Sequence, residues 1–137
     1  MAKMIFINLP VRNLPQAKAF YAALGAVNNP QFTDETAACM VFSEAIHVML
    51  LTHEKWSSFT KKPISDAHKA SEVMLALSSE SRDAVNAVTD AAGKSGGKAD
   101  VNPPQDHGFM FGRSFEDLDG HIWELVWMDP NAMPPHQ

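Results

Sequence analysis

The chain has 137 residues, enough for one domain or two small fused halves, and 45% of them are hydrophobic, as in ordinary globular proteins. A formal net charge of -5 without any run of Lys and Arg excludes nonspecific nucleic-acid binding, and no stretch approaches the apolar length of a membrane span. Cys39 is the only cysteine, so an intrachain disulfide is excluded. The opening Met1-Ala2-Lys3-Met4-Ile5-Phe6 reaches Pro10 too soon for a signal-peptide core, and a cytoplasmic protein is expected.

Ile5-Phe6-Ile7-Asn8-Leu9-Pro10-Val11 reads as a strand. Asn13 is a good N-cap, with Pro15 in the first turn, where its missing N–H costs little. Ala17, Phe20, Tyr21 and Leu24 then recur on one helix face, which predicts a helix over Leu14–Leu24 ended by Gly25. Three strands are expected next, near Gln31–Thr33, over Ala37–Phe42 and over Ile46–Thr52. Ser43-Glu44-Ala45 forms the turn between the last two. This half reads β-α-β-β-β.

The order recurs. Val73–Ser78 is a strand, Ser81 a cap, and Ala84, Val85, Val88 and Ala92 one face of a helix over Arg82–Ala92 that Gly93 is expected to stop. A weak strand around Lys98–Val101 follows, then a closing pair over Phe109–Phe115 and Ile122–Met128. Asp117-Leu118-Asp119-Gly120 joins that pair, with Gly120 free to take positive φ. The caps Asn13 and Ser81 lie 68 residues apart, as do Gly25 and Gly93, which supports an internal duplication. The organisation is therefore a first module over 1–53, a connector and candidate lid over 54–70, a second module over 71–129 and a tail over 130–137. Trp123, Leu125 and Trp127 share one sheet face, which must be covered by the helices or by a second subunit.

Two segments carry a family resemblance. Leu9-Pro10-Val11-Arg12-Asn13-Leu14 through Phe20-Tyr21 and Leu24-Gly25 is similar to the opening strand and helix of vicinal oxygen chelate proteins. Phe115-Glu116-Asp117-Leu118-Asp119-Gly120-His121-Ile122-Trp123-Glu124-Leu125 resembles their final hairpin, with Leu118 in place of the usual proline. This superfamily includes glyoxalases, bleomycin-resistance proteins and extradiol dioxygenases. The resemblance implies an α+β fold in which two βαβββ modules form an incomplete mixed β-barrel around a central pocket. It also implies a homodimer, since members are often dimers. In many members a divalent metal binds vicinal oxygens of the substrate; in others the pocket simply encloses an apolar ligand.

Laid on the family pattern, the four metal-ligand positions fall on Phe6, Leu50, Met74 and Glu124. Phenylalanine and leucine cannot coordinate, and a thioether does not suit the hard divalent ions of the family. No metal is therefore assigned. The alternative, a strand shift of two residues, keeps side chains on the same face and brings in Asn8, Thr52 and Glu72, so that Asn8, Glu72 and Glu124 would form an oxygen-rich site. The preferred expectation is a small-molecule pocket lined by Phe6, Asn8, Leu50, Met74 and Glu124, with Glu124 as anchor or general base. The competing one is a metal-dependent lyase, isomerase or dioxygenase. His107, at a strand mouth in Gln105-Asp106-His107-Gly108, is the second candidate acid or base. His47 and His121 are expected to face away from the pocket, and Cys39 to be a buried thiol.

Overall fold

Asn13 Oδ1 accepts the Gln16 N–H at 3.0 Å, so the first helix begins where a capping side chain permits. The computed structural model describes residues 2–132, which leaves His136 and the end of the tail outside the described residues. The chain divides into two units, Met1–Ala70 and Ser71–Gln137, so the break falls at the end of the connector.

The first unit runs β1 (Ile5–Val11), α1 (Leu14–Ala23), β2 (Val27–Asn29), β3 (Ala37–Ser43), β4 (Ile46–Thr52) and α2 (His53–Phe59). Its sheet has the order β1-β4-β3-β2, with β1 parallel to β4 and the other pairs antiparallel. The strand expected near Gln31–Thr33 is displaced to Val27–Asn29, and Pro30–Phe32 form a 3-10 turn. Pro30 presets φ there, while Asn29 Oδ1 takes the Gln31 N–H and Thr33 Oγ1 donates to the Asn29 carbonyl. The connector also holds more structure than a loop. Thr52 Oγ1 accepts the Lys55 N–H and caps α2, which packs on β4 and β1.

The second unit runs β5 (Met74–Ser78), α3 (Arg82–Lys94), β6 (Lys98–Ala99), β7 (Gln105–Asp106), β8 (Met110–Glu116) and β9 (Ile122–Met128). Its order, β5-β9-β8-β6, repeats that of the first sheet, with β5 parallel to β9 and β7 paired to β8. Ser81 Oγ accepts the Ala84 N–H at 3.0 Å, so both caps hold at their 68-residue separation. Gly93 does not stop α3. It lies inside the helix, where a Cβ would meet Ala99 Cβ at 3.3 Å, and its lack of a side chain lets β6 approach. The stop is at Gly96, with φ of 101°. At the closing hairpin Gly120 has φ of 90°, and Asp117 Oδ1 accepts the N–H groups of Asp119 and His121.

Each sheet is open and backed on one face by its own helix, which makes the fold α+β. In the first unit the core is Leu9, Val11, Met40, Val48 and Leu50 beneath Phe20 and Tyr21 of α1. In the second, Trp123 and Leu125 are 1% and 2% exposed. Arg82 of α3 lies over the rings of Phe111 and Trp127 at 5.1 and 5.2 Å, and Arg113 reaches Asn86 and Asp90 on the same helix. The tryptophan stripe is thus covered within its own unit, and it gives no ground for a second subunit. Among the described residues no helix is long and apolar enough to cross a membrane.

Candidate functional site

Strand alternation sorts the candidate residues once the helix side of each sheet is known. Tyr21 of α1 meets Phe42 edge-on at 6.4 Å, which places the even residues of β3 on the α1 face. Ala38 is paired with Leu50 and Leu9 with Leu50, so Leu50, fully buried, belongs to that face as well. This corrects its placement in a pocket with Phe6 and Asn8. Those two residues lie on the opposite face, where Phe6 is paired with His47 and Asn8 with Met49. His47, expected to point away, instead stacks its ring on Phe6 at a centroid distance of 4.6 Å.

The error is one residue of phase, and the repeat reveals it. In the second unit Met74 is paired with Ile122 and Ala76 with Glu124. The first unit pairs the corresponding Phe6 and Asn8 with His47 and Met49. Met49, not Leu50, is therefore the repeat mate of Glu124.

Met74 and Glu124 do share a face, the one opposite α3, with Ala76, Ser78, Ile122, Val126 and Met128. A concavity of about 390 Å³ opens there, lined by Ala76, Leu77, Ser78, Ser79, Val126 and Met128. Glu124 stands beside it, directly across from Ala76, half-buried and without a hydrogen bond or ion pair among the described residues. Asn102 crosses the same face. Its N–H donates to Ser114 Oγ of β8 at 2.8 Å, and its side-chain amide lies 3.7 Å from Met74 Sδ of β5. Ser114 is the cross-strand partner of Glu124. The sequence did not bring Asn102 and Ser114 together, because nothing in local spacing links a loop asparagine to a strand serine.

His107 lies apart from this group. It is exposed in the short turn between β7 and β8, with Nε2 3.2 Å from Gln105 Oε1 and its N–H donating to the Met110 carbonyl. Met110 is four residues from Ser114 along β8, roughly 13 Å at strand rise. Glu124 and His107 therefore do not form an acid–base pair across β8 and β9. Beside His107, the bidentate Arg82 guanidinium and the Gly108 N–H hold the Asp106 carboxyl down to about 2.

The donor set does not fit the divalent ion of the resemblance. At the register-corrected positions the first unit offers Phe6 and Met49, and the second Met74 and Glu124, a single hard donor in all. The shifted set needs Glu72 on a strand, but β5 begins at Met74 and Glu72 is exposed ahead of it. Among the described residues no three His, Cys, Asp or Glu side chains converge on one point.

Residues 3–125 match the family model of the glyoxalase/bleomycin resistance protein/dioxygenase superfamily. The chain belongs to this superfamily. No curated protein matches the sequence. Among solved structures, the hypothetical protein SA1046 from S. aureus is 25% identical with a TM-score of 0.76, over 93% of this chain and 95% of that one. A superfamily enzyme from Burkholderia phytofirmans PsJN is 13% identical with a TM-score of 0.74, over 93% and 99%. The fosfomycin resistance protein FosX from Mesorhizobium loti is 14% identical with a TM-score of 0.68, over 96% of each chain. The last two likenesses are of fold alone. The superfamily match agrees with the repeated sheet order and with the hairpin at Asp117–Gly120.

Proposed function

We propose that this superfamily member binds a small, mainly apolar molecule bearing a cationic or hydroxyl group, without the divalent metal that the resemblance implies for many members. The observation that carries the reading is Glu124, a half-buried carboxylate with no protein partner among the described residues, set on an apolar sheet face beside a concavity of about 390 Å³. A carboxylate so placed has its solvation reduced by neighbours that return no hydrogen bond, so a ligand donor gains more there than in water. Met74 and Met128 suit the apolar part, since their unbranched side chains adapt to irregular shapes. Asn102 and Ser114 supply polar groups at the other side of Glu124. Two further parts of the reading are a homodimer and a cytoplasmic setting, the second supported by a single cysteine kept as a thiol.

The test is a thermal-shift screen of small molecules against the wild type, then calorimetric titration of each hit against wild type and Glu124→Gln. The substitution keeps shape and removes charge. It should leave folding within about 1 kcal/mol and weaken binding by roughly 1.5–3 kcal/mol, the range for a hydrogen bond to a charged group. Equal affinities would make Glu124 a structural residue. Near-stoichiometric divalent metal in protein dialysed without chelator, lost with Glu124→Ala, would overturn the metal-free reading.

A further inference from the structure

We propose that the first unit carries a Cu(I) site formed by Cys39 Sγ, His47 Nδ1 and Met49 Sδ. The three residues come together on β3 and β4, on the face opposite α1. Cys39 and Met49 are direct cross-strand partners, and His47 is two residues before Met49 on the same face. Cys39 Sγ lies 3.9 Å from His47 Nδ1. Two donors on one ion, at the roughly 2.0–2.3 Å typical of metal–nitrogen and metal–sulfur bonds, lie about 3.5–4 Å apart. The pair is already at that spacing.

The ring of His47 is set for the task. Its Nε2 is 3.0 Å from the Glu44 carbonyl, which can only accept, so Nε2 donates there and Nδ1 is the nitrogen turned toward Sγ. Phe6 stacks on the ring at 4.6 Å with planes 19° apart and holds that orientation. Met49 is half-buried directly across from Cys39, and its unbranched side chain has three torsions with which to meet an ion held by the pair.

The chemistry of the donors selects the ion. A thiol sulfur, an imidazole nitrogen and a thioether, with no carboxylate among them, suit soft Cu(I) and not Mg, Ca or Mn. Zn(II) in a structural site takes four nitrogen, sulfur or oxygen donors, and a thioether is a poor fourth partner. Cys39 is 1% exposed, so a metal held there is shielded from water. On binding, the S–H bond breaks, a sulfur–copper bond forms and the proton leaves to water. Copper remains Cu(I), so no oxidant or reductant is required.

The experiment is an anaerobic titration of the reduced full chain with Cu(I), in competition with a chromophoric Cu(I) chelator, together with the near-ultraviolet thiolate-to-copper absorption. One Cu(I) per chain is expected. Cys39→Ala should abolish the absorption band, and His47→Asn and Met49→Leu should each lower affinity by about tenfold or more. Met49→Leu conserves volume, and circular dichroism of each variant confirms that it is folded. Failure to withdraw copper from the chelator would overturn the site, as would His47→Asn and Met49→Leu proteins that bind as tightly as wild type. Preferential uptake of Zn(II) over Cu(I) would overturn the assignment of the ion.

Discussion

Leu50 and Phe6 show how much depends on which side of a strand a residue occupies. Leu50 is fully buried beneath α1, whereas Phe6 is 51% exposed. Leu50→Ala should cost about 2–5 kcal/mol by urea denaturation, the range for a large-to-small core change, and Phe6→Ala far less. Equal losses would contradict the faces assigned above. The sequence Ile46-His47-Val48-Met49-Leu50-Leu51-Thr52 could not reveal this, because it is largely apolar on both faces and alternation is silent there. Glu124 was singled out by the family resemblance, and it is the one carboxylate in the otherwise apolar Ile122–Met128. Asp106 supplies a pH-dependent test at the same scale. Its carboxyl, held near 2 by Arg82 against an ordinary 3.8, titrates below its unfolded value. The stabilisation it provides is present in full above about pH 4 and is lost as pH falls toward 2. The urea midpoint of wild type should therefore exceed that of Asp106→Asn near neutrality, and the gap should close on acidification. A gap unchanged down to pH 2 would deny the ion pair its role.

Helix starts were readable from single residues, whereas helix ends were less so. A cap works through one side chain and the N–H three residues on, which is local chemistry, and both Asn13 and Ser81 fulfil it. Asn13→Ala and Ser81→Ala should each lose about 0.5–2 kcal/mol. Gly93 misled because a glycine near the end of an apolar repeat looks like a stop, yet it is kept small by contact with Ala99, a neighbour six residues ahead in the sequence. The short strand at Lys98–Ala99 was likewise cut by a partner far along the chain. Asp100 sits at φ of 55° with its carboxylate on Arg113, whose guanidinium also binds Asp90 of α3. Gly25 and Gly96 test the true stops. Both have φ near 100°, and alanine at either should cost on the order of 1–2 kcal/mol in backbone strain. At Gly96 the new Cβ would also meet Leu118 Cδ2 at 3.0 Å, while at Gly25 nothing lies within 4 Å. Gly96→Ala should therefore lower the thermal midpoint more than Gly25→Ala, and the reverse order would show that Leu118 yields freely.

The duplication of the whole chain was legible in the cap spacing, and the repeated sheet order now gives it physical content: the same edge recurs in both units. β1 and β5 are each an outer strand of their own sheet. Ile5 and Phe6 at the start of β1 are 54% and 51% exposed, and Val73, just ahead of β5, and Met74, its first residue, are 56% and 55% exposed. Both pairs stand 68 residues apart in the sequence, so the repeat has kept two apolar strand ends in water. Outer strands that expose apolar side chains beside unpaired backbone groups invite another strand, and soluble chains guard them with charge or cover. Neither pair carries a charge. A second copy is the cover we expect, now argued from these ends and no longer from the tryptophan stripe. Sedimentation equilibrium at micromolar concentration should give twice the 15.0 kDa chain mass. Ile5→Lys and Val73→Lys change exposed side chains and should leave each fold intact while weakening the association. A species of chain mass alone in the wild type would refute the dimer. A dimer that neither lysine weakens would move its interface away from β1 and β5.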